Sequence, residues 1–187
     1  MNRAEFLEAA CAWGLCSCAA LAAHADQDVS EENSSEIDLG QLRYKLDFVT
    51  KRFAKLVQIM ADTLDEQTMA GLFEAMGRQC ALEFGHVIDP FRGKPEAFIE
   101  EIQRQWVEKA DLDLEAGTLR IIDKARHCTC PFVDEKLMSM HFCHCSIGWQ
   151  KQAYETIFGQ PVDVEIEESI LRGGKHCIFR VTTTPKV

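Results

Sequence analysis

The sequence predicts an α+β protein: N-terminal helices packed on a twisted antiparallel sheet, with one helix inserted before a C-terminal β-hairpin. Three observations carry that prediction. Apolar residues recur every three or four positions through most of Leu39 to Trp106, the stepping of amphipathic helices. Strict alternation replaces it in Val162-Asp163-Val164-Glu165-Ile166-Glu167, as in a half-buried strand. Between the strand patterns lies one more helical stretch, from about Cys145 to Phe158.

The 187 residues suffice for one domain behind a leader, with a sizeable core. A formal net charge of -10 and a pI near 5.1 argue against nucleic acid or an anionic membrane surface as partner. Both of those would want a basic face.

Residues 1–25 read as an export-signal-like leader. Ala9 to Ala23 is an uncharged, alanine-rich run ending in the small-x-small pattern Ala23-His24-Ala25. It is too short to span a membrane. Arg3-Ala4-Glu5-Phe6-Leu7 resembles a twin-arginine signal with its second arginine lost, and Leu15-Cys16-Ser17-Cys18 resembles a lipoprotein box. Glu5 and Glu8 are foreign to such signals, so a degenerate leader, or a buried N-terminal helix, is the alternative. The first reading places the protein in the periplasm or on the cell surface, the second in the cytoplasm. Residues 26–36 are polar and acidic, a linker, and the folded domain is expected over residues 37–187.

In that domain, Leu42, Leu46, Val49, Phe53, Leu56, Met60 and Leu64 form one stripe of a long first helix, expected to pack in the core. A second helix is expected from about Gln67 to Phe84, burying Leu72, Phe73, Met76 and Cys80, with Gly85 as a left-handed cap. Pro95 opens a third, with Phe98, Ile99, Ile102 and Trp106 as its stripe. The period changes after Ala110. Asp113 to Thr118 reads as a turn into a strand from Leu119 to Arg126. Gly159 ends the inserted helix, Arg172 to Lys175 make a hairpin turn, and His176 to Thr182 return as a strand. Cys177, Phe179 and Val181 share one face of it.

The chemistry is concentrated in Cys128-Thr129-Cys130-Pro131 and His141-Phe142-Cys143-His144-Cys145. On an extended chain a Cys-x-Cys pair points both thiols to one face, so Cys128 and Cys130 can converge. Cys143 and Cys145 precede a helix, whose free N–H groups lower a thiol pKa. Together with Cys80 and Cys177 these six are candidate ligands of a soft metal, zinc above all, with His141 or His144 as substitutes. Disulfides between the pairs, redox cycling of the thiols and plain burial are the competing readings. Zinc sites more often use Cys-x2-Cys spacing. Cys143 is also a candidate nucleophile, with His141, two positions away, as its base. Glu165, Glu167 and Glu168 are candidate carboxylates, though alternation sends at least some of them to solvent.

Three segments then carry a family resemblance: Cys143 to Trp149, Phe158-Gly159-Gln160-Pro161-Val162-Asp163-Val164-Glu165, and Ser169 to Phe179. They resemble the C-terminal half of the 4-vinyl reductase domain. More closely, the chain is similar to bacterial proteins labelled L-2-amino-thiazoline-4-carboxylic acid hydrolase-like, which also carry the Cys-x-Cys-Pro segment and a helix cysteine at Cys80. The resemblance implies a small α+β domain, related to haem-NO-binding and vesicle-tethering domains, that holds a small ligand between helices and sheet. In its aromatic-sensing members it implies a zinc held by cysteines and a glutamate. Cys177 and Cys143 or Cys145 match that set, while Ser169 stands for a second hairpin cysteine and Ile166 for the glutamate.

The expectation is therefore a small-molecule-binding domain with a cysteine-rich, zinc-holding site. A hydrolase of a small cyclic C–N or C–S compound, acting through Cys143 or a metal-bound water, is one rival, and a thiol–disulfide redox protein is the other. No nucleotide-binding loop is present, and the oligomeric state, a homodimer included, is left open.

Overall fold

Residues 38–183 are described in the computed structural model of the chain. The leader, the linker and Cys11, Cys16 and Cys18 lie outside them. Four helices come first: α1 (Leu39–Thr63), α2 (Glu66–Glu83), the one-turn α3 (Gly85–Ile88) and α4 (Pro95–Gln105). Strands β1 (Val107–Asp113) and β2 (Thr118–Asp123) form a hairpin. A long loop then leads to α5 (Cys143–Phe158), followed by β3 (Val162–Glu168) and β4 (Ile178–Thr183). The sheet runs in the order β1-β2-β4-β3 with every pair antiparallel, so the expected α+β class holds. No helix among the described residues is long and apolar enough to cross a membrane.

Local chemistry fixes the element ends. The Asp65 carboxylate accepts from the Thr68 N–H at 2.9 Å and so caps α2. Pro95 opens α4 where its missing N–H costs nothing. Gly159 ends α5 at φ 66°, a left-handed conformation that only glycine adopts freely.

One face of the sheet is covered. Leu119, Ile121, Val162 and Val181 point into a core shared with Phe98, Ile102, Ala153, Tyr154 and Ile157. The other face is polar, with Glu167 paired to Arg120 at 2.7 Å and to Arg180. A second core joins α1 and α2 to the loop through Ala54, Val57, Met69, Phe73, Met138 and Phe142. Phe142 meets Phe53 and Phe73 edge-on, at 5.4 and 5.3 Å between centroids.

Helices α2 and α5 cross at nearly backbone contact. A Cβ on Gly77 would lie 1.8 Å from the Cys145 carbonyl oxygen, and one on Gly148 would lie 1.9 Å from that of Glu74. Each glycine thus receives the other helix's backbone. Flanking ion pairs brace the crossing: Arg78 with Glu155 at 2.7 Å and Lys151 with Glu74 at 3.0 Å, all half-buried.

Several sequence expectations need correction. The stretch from Val107 to Ala110 is strand, not the tail of the third helix, because Val107 to Asp113 pairs with β2. Gly85 is no left-handed cap: α2 closes at Phe84, and Gly85 begins α3. The second helix turns a different face inward, burying Met69, Phe73, Gly77 and Ala81 while Leu72 stays exposed, because the close crossing selects small residues. The first stripe is mostly not core. Leu42 and Leu46 are 53% and 58% exposed, and Val49, Leu56 and Leu64 are exposed as well. Only Phe53 and Met60 of the stripe pack against the second core, and burial on α1 falls on Ala54 and Val57, off the stripe.

The crossing is testable. Gly77→Ala or Gly148→Ala should destabilise the fold by about 3 kcal/mol or more in urea unfolding, since a methyl group must push two backbones apart. Gly71→Ala, on the same helix with nothing within 4 Å of its added Cβ, should instead be neutral or stabilising by about 0.5–1 kcal/mol.

Candidate functional site

Between α2, α5 and the covered face of the sheet lies a cavity of about 500 Å³. Each wall comes from a different element. Cys80 is contributed by α2, Ile88 by α3, and Trp106 by the end of α4. The loop after β2 supplies Cys128, Thr129, Cys130 and Pro131; β3 supplies Ile166, and β4 and its approach supply Phe179 and Cys177. Helix α5 contributes most. Cys143, Ser146 and Gln150 follow one another at helical spacing, with Cys145 and Trp149 beside them.

All six cysteines predicted as a site thus line one cavity, and each is a free thiol. Their grouping differs from the sequence expectation. Cys128 and Cys130 lie in non-helical loop. Cys143 and Cys145 lie in the first turn of α5, where residues two apart face different ways. Cys143 is buried against Ile166, Phe179 and Cys177, whereas Cys145 packs beside Phe73, Phe142 and Cys130. The electrostatic coupling follows the same division. Cys80 acts on Cys130, and both act on Cys145; Cys143 acts on Cys177, and both act on Cys128. Cys128 joins the two groups, since Cys130 acts on it and it acts on Cys145.

Burial dominates the thiol chemistry. It pushes Cys145 up to about 12 and Cys128 up to about 11, and it raises Cys80, Cys130 and Cys177 as well. The expected lowering of Cys145 at the helix start is therefore reversed, because desolvation outweighs the helix N-terminus.

The donor set suits a soft metal such as zinc in kind. As placed, no three His, Cys, Asp or Glu side chains among the described residues form a group that could hold an ion. Ser169 occupies the hairpin position beside Cys143, with its Oγ 3.3 Å from Cys143 Sγ, and Ile166 packs alongside. Two thiols, a hydroxyl and the sec-butyl side chain of Ile166 are not a complete zinc set, so any metal here would draw on Cys80, Cys128, Cys130 or Cys145.

The candidate nucleophile and base are not joined. The polar partner of Cys143 is Ser169, while His141 is absent from the cavity wall and donates its backbone N–H to Ser139 Oγ. Nor do the three glutamates reach the cavity. Glu165 is exposed, Glu167 serves the outer arginines, and Glu168 accepts from the N–H groups of Lys175 and His176.

Sequence reasoning passed over two polar residues of the wall, Asp123 and Gln150. Both interrupt an apolar phase: Asp123 follows Leu119 and Ile121 on the inward side of β2, and Gln150 precedes Ala153 and Ile157 on the inward side of α5. That interruption was the available signal. Trp106, expected in the packing stripe of its helix, and Trp149 meet edge-to-face at 6.4 Å between centroids, and both line the cavity.

Burial pushes the Asp123 carboxyl up to about 6. Its folded value lies above its unfolded one, so the folded state holds the extra proton between about pH 4 and 6. Stability should therefore fall as pH rises through that window, with this group contributing on the order of 2 kcal/mol. Asp123→Asn should remove that slope and be the more stable protein at pH 8, as urea unfolding at pH 4 and pH 8 will show.

Comparison with known proteins adds the following. The phenol-responsive sensory domain of the transcription activator PoxR aligns with TM-score 0.49 and 16% identity, over 72% of this chain and 74% of that one. A trafficking protein particle complex subunit 3 from Naegleria fowleri, covalently bound to palmitic acid, aligns with TM-score 0.46 and 12% identity, over 78% and 98%. An H-NOX domain from Shewanella oneidensis aligns with TM-score 0.37 and 13% identity, over 97% and 94%. No curated protein matches. Residues 76–187, which include every cysteine of the cavity, match a family of unknown function, DUF6144, and the chain belongs to that family.

Proposed function

We propose that the protein binds a small molecule in the cavity between α2, α5 and the sheet. One observation carries this reading. A solvent-reachable pocket of about 500 Å³ opens between the helices and the sheet, and two tryptophans, six thiols and several aliphatic side chains line it. Its wall is chiefly apolar and polarizable, which suits an aromatic or aliphatic body. The 4-vinyl reductase-like relationship belongs to the same proposal. It is supported by the α5 start at Cys143 and by the Ser169–Cys177 connection between β3 and β4.

Zinc is proposed as the metal, held by thiolates drawn from the two cysteine groups. Two features support it: the soft donors are concentrated in one place, and a bound cation would supply the counter-charge that buried thiolates lack. Elemental analysis with a thiol titration of the native protein, before and after chelation, tests this. About one zinc per chain, with further thiols becoming reactive on its chelation, is the expected result.

Binding itself is tested with the neutral apolar probe N-phenyl-1-naphthylamine. Its emission should rise saturably at one site per chain, with energy transfer from tryptophan. Ile166→Trp, which narrows the cavity beside Cys143 and Phe179, should weaken the probe's binding several-fold while leaving the far-ultraviolet circular dichroism unchanged. A wild-type protein that gives no saturable rise would overturn the reading.

A further inference from the structure

Two acceptors in the cavity wall lack partners. Gln150 is 7% exposed and its amide Oε1 has no hydrogen-bond partner; Asp123 Oδ1 is likewise buried and unpaired. Both residues line the cavity. Asp123 also acts electrostatically on Tyr154, one helical turn beyond Gln150 on α5. Buried polar atoms in folded proteins are nearly always satisfied, so two orphans facing one space mark where a ligand's polar group sits.

The sign of that group follows from the rest of the wall. Asp123 is the single carboxylate among the lining residues, and no lysine, arginine or histidine lines the cavity. An anionic ligand would meet an acid in a low-dielectric space with no basic side chain to compensate, and the charge of the proposed zinc would be neutralised by its own thiolates. A ligand bringing N–H donors and positive charge would satisfy both orphans at once. Trp106 and Trp149 line the same cavity, and indole rings are the side chains that attract a cation most strongly.

We propose that Asp123 and Gln150 form the head-group end of the cavity and recognise the ammonium of a small amine with an apolar, aromatic body. The proposal rests on the cavity being a ligand site at all, and the experiment separates the two claims. Full-length protein is titrated with N-phenyl-1-naphthylamine, which is then displaced by phenethylamine, by phenethyl alcohol and by 3-phenylpropanoate. These share a phenyl-ethyl body and differ in the charge of the head.

Phenethylamine should displace the probe at least about tenfold more effectively than the alcohol, with the carboxylate weakest. Asp123→Asn and Gln150→Met should each remove most of that preference, read as the ratio of amine to alcohol displacement measured against each variant's own affinity for the probe. Equal competition by all three compounds, or an amine preference surviving in both variants, would overturn the amine assignment and leave the cavity reading intact. A wild-type protein that does not bind the probe and is not stabilised in thermal melts by any of the three overturns both.

Discussion

Everything about the cavity depends on how closely α2 and α5 approach. Gly77 and Gly148 each accept the other helix's backbone, so the axes lie nearer than side chains would allow. That proximity brings Cys80, one turn past Gly77, into the same wall as Cys145 and Trp149. It also leaves the sheet-facing side of α5 free to carry Cys143 and Gln150 toward β2, β3 and β4. The two half-buried ion pairs at the crossing fix its register more than they add stability, since such pairs contribute little on their own.

The cysteines illustrate how backbone conformation decides what a spacing means. Cys128-x-Cys130 and Cys143-x-Cys145 are the same pattern on paper. In α5 a two-residue step rotates the side chain to another side of the helix, so Cys143 joins the hairpin's Cys177 while Cys145 joins Cys80 and Cys130. Cys128 belongs to both neighbourhoods, and the loop that carries it forms the part of the wall between them. One cavity with two thiol neighbourhoods is a different object from a single four-sulfur centre.

Much of the fold was legible because periodicity is local. The helix of Pro95, the glycine stop at Gly159 and the alternation of Val162 to Glu167 needed no tertiary information. The face of α2 was misread because Leu72 looks like core and Gly77 does not, until a second helix is known to need the room. The strand Val107–Asp113 was missed because its outward residues, Glu108, Lys109 and Asp111, give no alternation beside the core-facing Val107. The six-cysteine gathering was visible from residue type alone. Asp123 and Gln150 were hidden, since a single polar residue in an apolar phase reads as noise until the space it faces is known.

The raised thiols have a consequence for reactivity. A sulfur whose proton leaves only near pH 11 or 12 is almost never a thiolate at neutral pH, roughly one molecule in 10⁴ or 10⁵. Without a cation beside them, Cys128 and Cys145 would be sluggish toward alkylating agents and peroxides. In the proposed ligand-binding role, a sulfur-rich lining of that kind would act as a soft, deformable surface rather than as a set of reagents.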